Sequence, residues 1–124
     1  MNIIQTEAAP KAIGPYSQAI VIGGWLFSSG QIPLTAAGEL VNGDIEAQTE
    51  QVIKNMRTIL RAEGADLNNL VKVTVFTTDM RYFDAISEVR RRYFTGDLPA
   101  STIVEVRKLA QPDLMIEIEG VAVL

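Results

Sequence analysis

Leu114-Met115-Ile116-Glu117-Ile118-Glu119-Gly120-Val121-Ala122-Val123, the stretch just before the last residue, decides how this chain folds. Read as a strand, it puts Leu114, Ile116 and Ile118 on one side, with Met115, Glu117, Glu119, Val121 and Val123 on the other. Neither side is uniformly polar, so both faces of the sheet around it are expected to be at least partly buried. One layer of helices can cover only one face. The other needs a cover of its own, and oligomerisation through the open face is the economical source.

Working outward from that strand, Ser101 to Arg107 reads as another strand, joined to it by a loop containing Pro112. Further back, Val71, Val73 and Val75 alternate with Lys72, Thr74 and Phe76, again a strand. Between these lies a helix from about Arg81 to Phe94, with Phe83, Ile86, Val89 and Tyr93 facing inward and Gly96 ending it. The strongest helical pattern comes earlier: Ile45, Val52, Ile53, Met56, Ile59 and Leu60 share one face, Asp44 is placed to cap the start and Gly64 the stop. Before it, Ser17 to Ile22 and Trp25 to Gly30 are β-favouring runs around Gly23-Gly24, a hairpin signal. Residues 33–43 read as loop, and Ala12-Ile13-Gly14-Pro15 as an irregular lead-in. The order β-β-α-β-α-β-β predicts an α+β sandwich, with a mixed sheet and both helices packed on one face. No repeat or linker divides residues 1–124, so one domain is expected.

Composition narrows the chemistry. The 124 residues contain no histidine and no cysteine, which removes disulfides and any metal site built from those residues. A chain of this length buries roughly two-thirds of its unfolded surface, enough for one core but not for a deep internal pocket. A site between subunits is therefore worth considering. Eleven basic against fifteen acidic residues give a net charge of −4, which argues against nucleic-acid binding; only Arg90-Arg91-Arg92 forms a basic cluster. The first residues lack the basic start and apolar core of a signal peptide, and the longest apolar stretch, residues 19–27, is too short to span a bilayer. The expected location is cytoplasmic.

The remaining acids, bases and electrostatic groups are Glu, Asp, Tyr, Lys and Arg. Glu117 and Glu119 point the same way, about 7 Å apart along their strand. Such pairs are commonly solvated or ion-paired, so spacing alone assigns them no role. Ser28-Ser29-Gly30-Gln31 ends a strand in small polar residues whose N–H groups could hold an oxyanion; a plain strand-to-loop turn has the same sequence. The arginine run lies late in its helix, where cations complement the macrodipole. Tyr16 could offer a phenolic hydroxyl or simply pack.

Taken together, several motifs resemble one family. Residues 8–19, Ala-Ala-Pro-Lys-Ala-Ile-Gly-Pro-Tyr-Ser-Gln-Ala, strongly resemble the opening of the reactive intermediate deaminase (Rid, or YjgF) proteins. Ser29-Gly30-Gln31-Ile32-Pro33, Gly43-Asp44-Ile45 with Gln48-Thr49, residues 71–76, Val104-Glu105-Val106 and Ile116-Glu117-Ile118-Glu119 follow in the same order and spacing. The resemblance spans essentially the whole chain. It implies a chorismate-mutase-like α+β fold, assembled as a homotrimer around a central barrel. It also implies hydrolysis of 2-imino acids, such as 2-iminobutanoate and 2-iminopropanoate, to 2-keto acids and ammonia, without metal or organic cofactor, in a cleft between subunits. Glu117 then corresponds to the water-activating carboxylate, Ser29 and Gly30 to the wall that hydrogen-bonds substrate, and Tyr16 to the cleft tyrosine. Ser87, Ser101 and Ile103 fall at further substrate-contacting positions.

The resemblance breaks at Ser101, where the family pattern has an arginine that pairs with the substrate carboxylate. Ser87 likewise stands where an asparagine is common, and the connection around Ala110-Gln111-Pro112 reads one residue longer. A hydroxyl cannot reproduce the two charge-assisted bonds of a guanidinium, and losing such a partner costs about 2–5 kcal/mol. Arg107 lies six residues from Ser101, roughly 20 Å along a strand, too far to substitute. Arg90 and Arg91 lie one helical turn from Ser87, roughly 5–6 Å away, and either could reach into the cleft. Three readings remain: a deaminase with weakened or altered preference; a non-catalytic trimer that binds a small metabolite or a partner; and a ribonuclease, disfavoured by the acidic charge and missing histidine.

Overall fold

Hydrophobic alternation on the last strand organises the whole molecule. In the computed structural model, which describes all of residues 1–124, six strands form one mixed sheet in the order β1-β2-β3-β6-β4-β5. The strands are β1 (Asn2–Ile4), β2 (Ala19–Ile22), β3 (Trp25–Ser28), β4 (Leu70–Thr77), β5 (Ala100–Glu105) and β6 (Ile116–Val123). Helices α1 (Ile45–Arg61) and α2 (Phe83–Tyr93) are the two long helical elements. All strand pairs are antiparallel except β4 with β5, which the α2 crossover makes parallel. Ile116, Ile118 and Ala122 of β6 face the helices and are buried with Val73, Val75, Leu26 and the apolar stripe of α1. Gly120 lies in the same row, because a Cβ there would meet Leu70 Cδ2 at 2.7 Å.

The opposite face of β6 carries Glu117, Glu119, Val121 and Val123, opposed in register by Phe76, Thr74, Lys72, Phe27 and Trp25. Ile3, Ile22, Trp25, Phe27, Val104 and Val123 all reach this face and are exposed in the single chain. It is an apolar stripe across β1, β2, β3 and the end of β6, with Val104 set apart from it by Lys72, Thr74 and Glu119.

Several elements differ from the sequence reading. The edge strand β1 was not anticipated. Three residues carry no alternation of their own, and their pairing of Asn2 with Val21 and Ile4 with Ala19 is non-local. The hairpin turn lies where the sequence places it, with Ile22 opposite Trp25 and Gly23 and Gly24 both at positive φ, but its strands are shorter at their far ends: β2 starts at Ala19 rather than Ser17 and β3 ends at Ser28 rather than Gly30. Phe83 is exposed, not inward. A 3₁₀ turn over Met80–Tyr82 precedes α2 and leaves Phe83 at the first helical position, before the buried stripe of Ile86 and Val89 begins. Strand β5 begins at Ala100 and stops at Glu105, and the bond from Val106 N–H to Thr77 O is the last of its ladder with β4. No helix is long and apolar enough to cross a membrane.

Buried polar side chains of α1 fix the loops around the sheet. Asn55 Nδ2 donates to Ile32 O (3.1 Å) and Leu34 O (2.9 Å). Gln48 Nε2 donates to Asp113 O (2.8 Å), and its Oε1 accepts from Met115 N–H (2.8 Å). Asp113, at φ 69°, is the one non-glycine residue in the left-handed region. The lead-in is held by Gln18, which donates to Pro10 O (2.7 Å) and Thr6 O (3.1 Å) and accepts from Thr6 N–H (2.8 Å). Asn55→Ala leaves the buried Leu34 carbonyl unsatisfied, and Ile32 O keeps only its bond from Leu34 N–H (2.7 Å). The substitution is expected to cost about 1–3 kcal/mol, read as a lower urea midpoint at unchanged m-value.

Candidate functional site

Two clefts contain all but one of the residues that the resemblance places at the site, together with the candidate cations Arg90 and Arg91. The first, of about 460 Å³, is lined by Ile13, Tyr16, Ser29, Gly30, Ile32, Ala110 and Glu117. Strand β6 supplies Glu117 from its open face. Alternation leaves no other direction for it, since Ile116 and Ile118 are committed to the core. The segment after β3 lies across it, tied by mutual backbone bonds between Gln31 and Ile118 (2.8 and 3.1 Å). This pairing brings Gly30 so close that a Cβ there would lie 2.7 Å from Glu117 Cδ. Only glycine fits without moving the carboxylate.

The electrostatics of this cleft are unusual for an acidic residue on a sheet. Glu117 is half-buried, and neither a salt bridge nor a hydrogen bond engages its carboxylate. Burial pushes its pKa above the usual carboxylate range, and the charge of Glu119 adds to the shift. Ser29 Oγ donates to Ser17 O, so toward a ligand it offers lone pairs rather than its proton. Ser29 N–H is bound to Gln18 O (2.8 Å), whereas Gly30 N–H makes no backbone bond within the chain. The Tyr16 hydroxyl accepts from Ile13 N–H (3.2 Å) and its ring packs over Gly14. Ile13, Ile32 and Ala110 were not foreseen as lining residues. They stand beside motif residues but carry no polar or periodic signal that marks a cleft.

The second cleft, of about 200 Å³, is lined by Ser87, Arg90, Arg91, Phe94, Leu98, Pro99 and Ser101. Ser101 lies opposite Val73 in the parallel pair, which places it on the helix side of the sheet, beneath α2. Ile103 shares that side but packs against the core and lines neither cleft. Within one chain the two clefts are separate. Glu117 registers with Phe76 and Ser101 with Val73, so they are two strand spacings (about 10 Å) and three residues (about 10 Å) apart, on opposite faces. No cluster of three or more Asp and Glu side chains forms a possible metal site.

Comparison with known proteins follows the same outline. The family model described as endoribonuclease L-PSP matches residues 6–124. A RutC family protein of Pyrococcus horikoshii is 50% identical over 122 residues, covering 98% of this chain and 96% of its own length. The mouse protein named 2-iminobutanoate/2-iminopropanoate deaminase is 42% identical over 123 residues, covering 98% of this chain and 90% of its own. Among solved structures, Escherichia coli TdcF with bound serine superposes with a TM-score of 0.94 at 37% identity, covering 100% of this chain and 99% of that one.

A carboxyl whose pKa is raised by folding makes the folded state bind more protons than the unfolded one between the two pKa values. Its contribution to stability therefore falls as pH rises through that window. Glu117→Gln removes the buried charge. It is expected to raise Tm at pH 7 and flatten that slope, measured by thermal unfolding from pH 4 to 8. A lower Tm at pH 7 would mean that the carboxylate is a structural group.

Proposed function

Because the chain belongs to the reactive intermediate deaminase (RidA/YjgF) family, we propose that it hydrolyses 2-imino acids to 2-keto acids and ammonia. The observation that carries this reading is the half-buried, unpartnered Glu117 carboxylate held against Gly30 in an open cleft. Groups kept from neutralising partners in this way are common at reacting centres, where a raised pKa suits proton transfer near neutrality.

In this scheme Glu117 takes a proton from water as the water oxygen bonds to C2 of the imine. The C=N π pair moves to nitrogen, which accepts the proton. A second proton, from the new hydroxyl, then reaches nitrogen; ammonia leaves and the C=O forms. The free N–H of Gly30 is a fixed donor for a substrate oxygen, and the Ser29 lone pairs can accept from the substrate nitrogen. Tyr16, Ile13 and Ile32 narrow the access of bulk water.

The same proposal includes assembly as a homotrimer. The exposed stripe of Ile3, Ile22, Trp25, Phe27 and Val123 is more apolar than a free sheet face in water should be. Sheets facing one another around a barrel would bury it. A neighbouring subunit could then complete the Glu117 cleft with the residues around Ser101, which one chain places on the wrong face to do so. Light scattering is expected to give three times the chain mass; a monomer mass overturns the assembly.

A non-catalytic trimer is the second reading, favoured by Ser87 and Ser101, which offer hydroxyls where a carboxylate ligand calls for charge. One assay separates the two. With 2-iminobutanoate or 2-iminopropanoate generated in situ, the protein is expected to accelerate keto-acid release, and Glu117→Gln to lose about 10²–10⁴-fold of that acceleration. The wild-type rate should fall at acidic pH as Glu117 becomes protonated, beginning above the usual carboxylate range. No acceleration by wild type, with activity appearing in Ser101→Arg, overturns the deaminase reading for these substrates.

A further inference from the structure

Arg90 is a charge without a partner. Of the three consecutive arginines on α2, Arg91 pairs with Glu88 (3.5 Å), and Arg92 lies near enough to Glu50 to influence its titration. The Arg90 guanidinium forms no salt bridge, donates no hydrogen bond within the chain, and lies 6.0 Å from the Phe94 ring centroid. It is half-buried all the same, and burial lowers its pKa, although a guanidinium stays charged at any ordinary pH. A desolvated cation with no counterion is costly, and sequences seldom keep one unless something supplies the missing charge.

The surroundings of Arg90 indicate what that something is. It lines the cleft of about 200 Å³ together with the hydroxyl-bearing Ser87 and Ser101. Ser87 is one turn earlier on the same helix, and Ser101 rises from β5 beneath it, so donors converge from two elements. No acidic residue lines the cleft. Phe94, Leu98 and Pro99 form its remaining wall. A planar fork of N–H donors, flanked by hydroxyls and bounded by apolar surface, fits a small carboxylate with an apolar side chain. Ser101 contributes only a hydroxyl, so the positive charge has to come from the helix rather than from the strand.

We infer that Arg90 is the carboxylate-binding group of this protein, entering the cleft from α2 above Ser101 with the Ser87 and Ser101 hydroxyls beside it. The ligand is a small monocarboxylate carrying an apolar side chain, which rests against Phe94 and Leu98. Resting on the imine-hydrolase reading, the assignment makes that ligand the 2-imino acid and its 2-keto product. Arg91 lines the same cleft but is exposed and paired with Glu88 (3.5 Å), so it adds to the local field while Arg90 is the half-buried cation.

The test uses the unreactive product, 2-oxobutanoate, titrated into the full-length protein and followed by calorimetry or ligand-observed NMR. Wild type is expected to bind saturably. Arg90→Met keeps the apolar stem but not the charge and should weaken binding at least tenfold; Arg90→Lys should fall between. Adding Ser101→Arg to Arg90→Met should restore affinity, which a merely structural role for Arg90 would not allow. Arg92→Ala removes one charge from the same helix outside the cleft and should change affinity less than twofold. Circular dichroism shows whether each variant is folded, and Arg90→Lys stands in if Arg90→Met is not. No saturable binding by wild type, or binding by the Arg90 variants within twofold of wild type, overturns the inference. If wild type hydrolyses imines while the Arg90 variants are unaffected, the hydrolase reading survives without Arg90. If Arg90→Met abolishes binding but wild type hydrolyses no 2-imino acid, the anion site stands and the hydrolase reading falls.

Discussion

The commitment of Ile116 and Ile118 to the core is the constraint on which the rest of the structure depends. Strand β6 lies between β3 and β4 at the middle of the sheet, and its side chains can go only up or down. Once the two isoleucines pack beneath α1, Glu117 must lie on the other face, in a position where water is only partly available. The carboxylate owes its raised pKa to that geometry rather than to any special partner. A shift of one residue in the register of β6 would exchange its entire core and open faces. The backbone clamp between Gln31 and Ile118 and the side-chain clamp from Gln48 to Met115 both act against such a slip.

The same strand explains why one chain holds two incomplete clefts. An acid on the open face and a cation under α2 cannot converge within a single layer of sheet. The apolar stripe on the open face and the unsatisfied charges at Glu117 and Arg90 are thus separate signs of one deficiency, in that the isolated chain leaves surfaces of several kinds without counterparts. Hydrophobic burial would supply the association energy, while the two charges, buried without partners, favour a function that brings them a ligand.

Much of this was legible in the sequence, for reasons that differ by element. The stripe from Ile45 to Leu60 repeats often enough to define α1 unaided, and Asp44 does cap it, accepting from Ala47 N–H. The alternation over residues 71–76 and 114–123 located β4 and β6 in the same way. Strand β1 was invisible because three residues cannot express a period, and its partner lies far along the chain. Phe83 misled because it fits the helical spacing; spacing is blind to the 3₁₀ turn over Met80–Tyr82, which makes Phe83 the first residue of α2. For the site, resemblance assigned Tyr16, Ser29, Gly30 and Glu117 to a common cleft, and these four do share one. Choosing between Arg90 and Arg91 was beyond spacing, since both lie about a turn from Ser87; burial and the pairing of Arg91 with Glu88 distinguish them. Ile13, Ile32 and Ala110 reach the cleft through loop geometry that no local pattern encodes.

Asp113 has a consequence for how such a chain can vary over time. The connection between β5 and β6 ends at a left-handed aspartate whose carbonyl is gripped by Gln48. Aspartate tolerates that conformation better than most residues, so the chain can turn sharply just ahead of the strand. Met115 is held by the same glutamine, and β6 starts one residue later, with its register untouched. Loop length and strand register are thereby uncoupled. Insertions in this connection can bring new side chains over the cleft, as Ala110 already does, while the Glu117 carboxylate keeps its place. The fold separates a mechanically fixed part from one free to change, and a single buried amide marks the boundary.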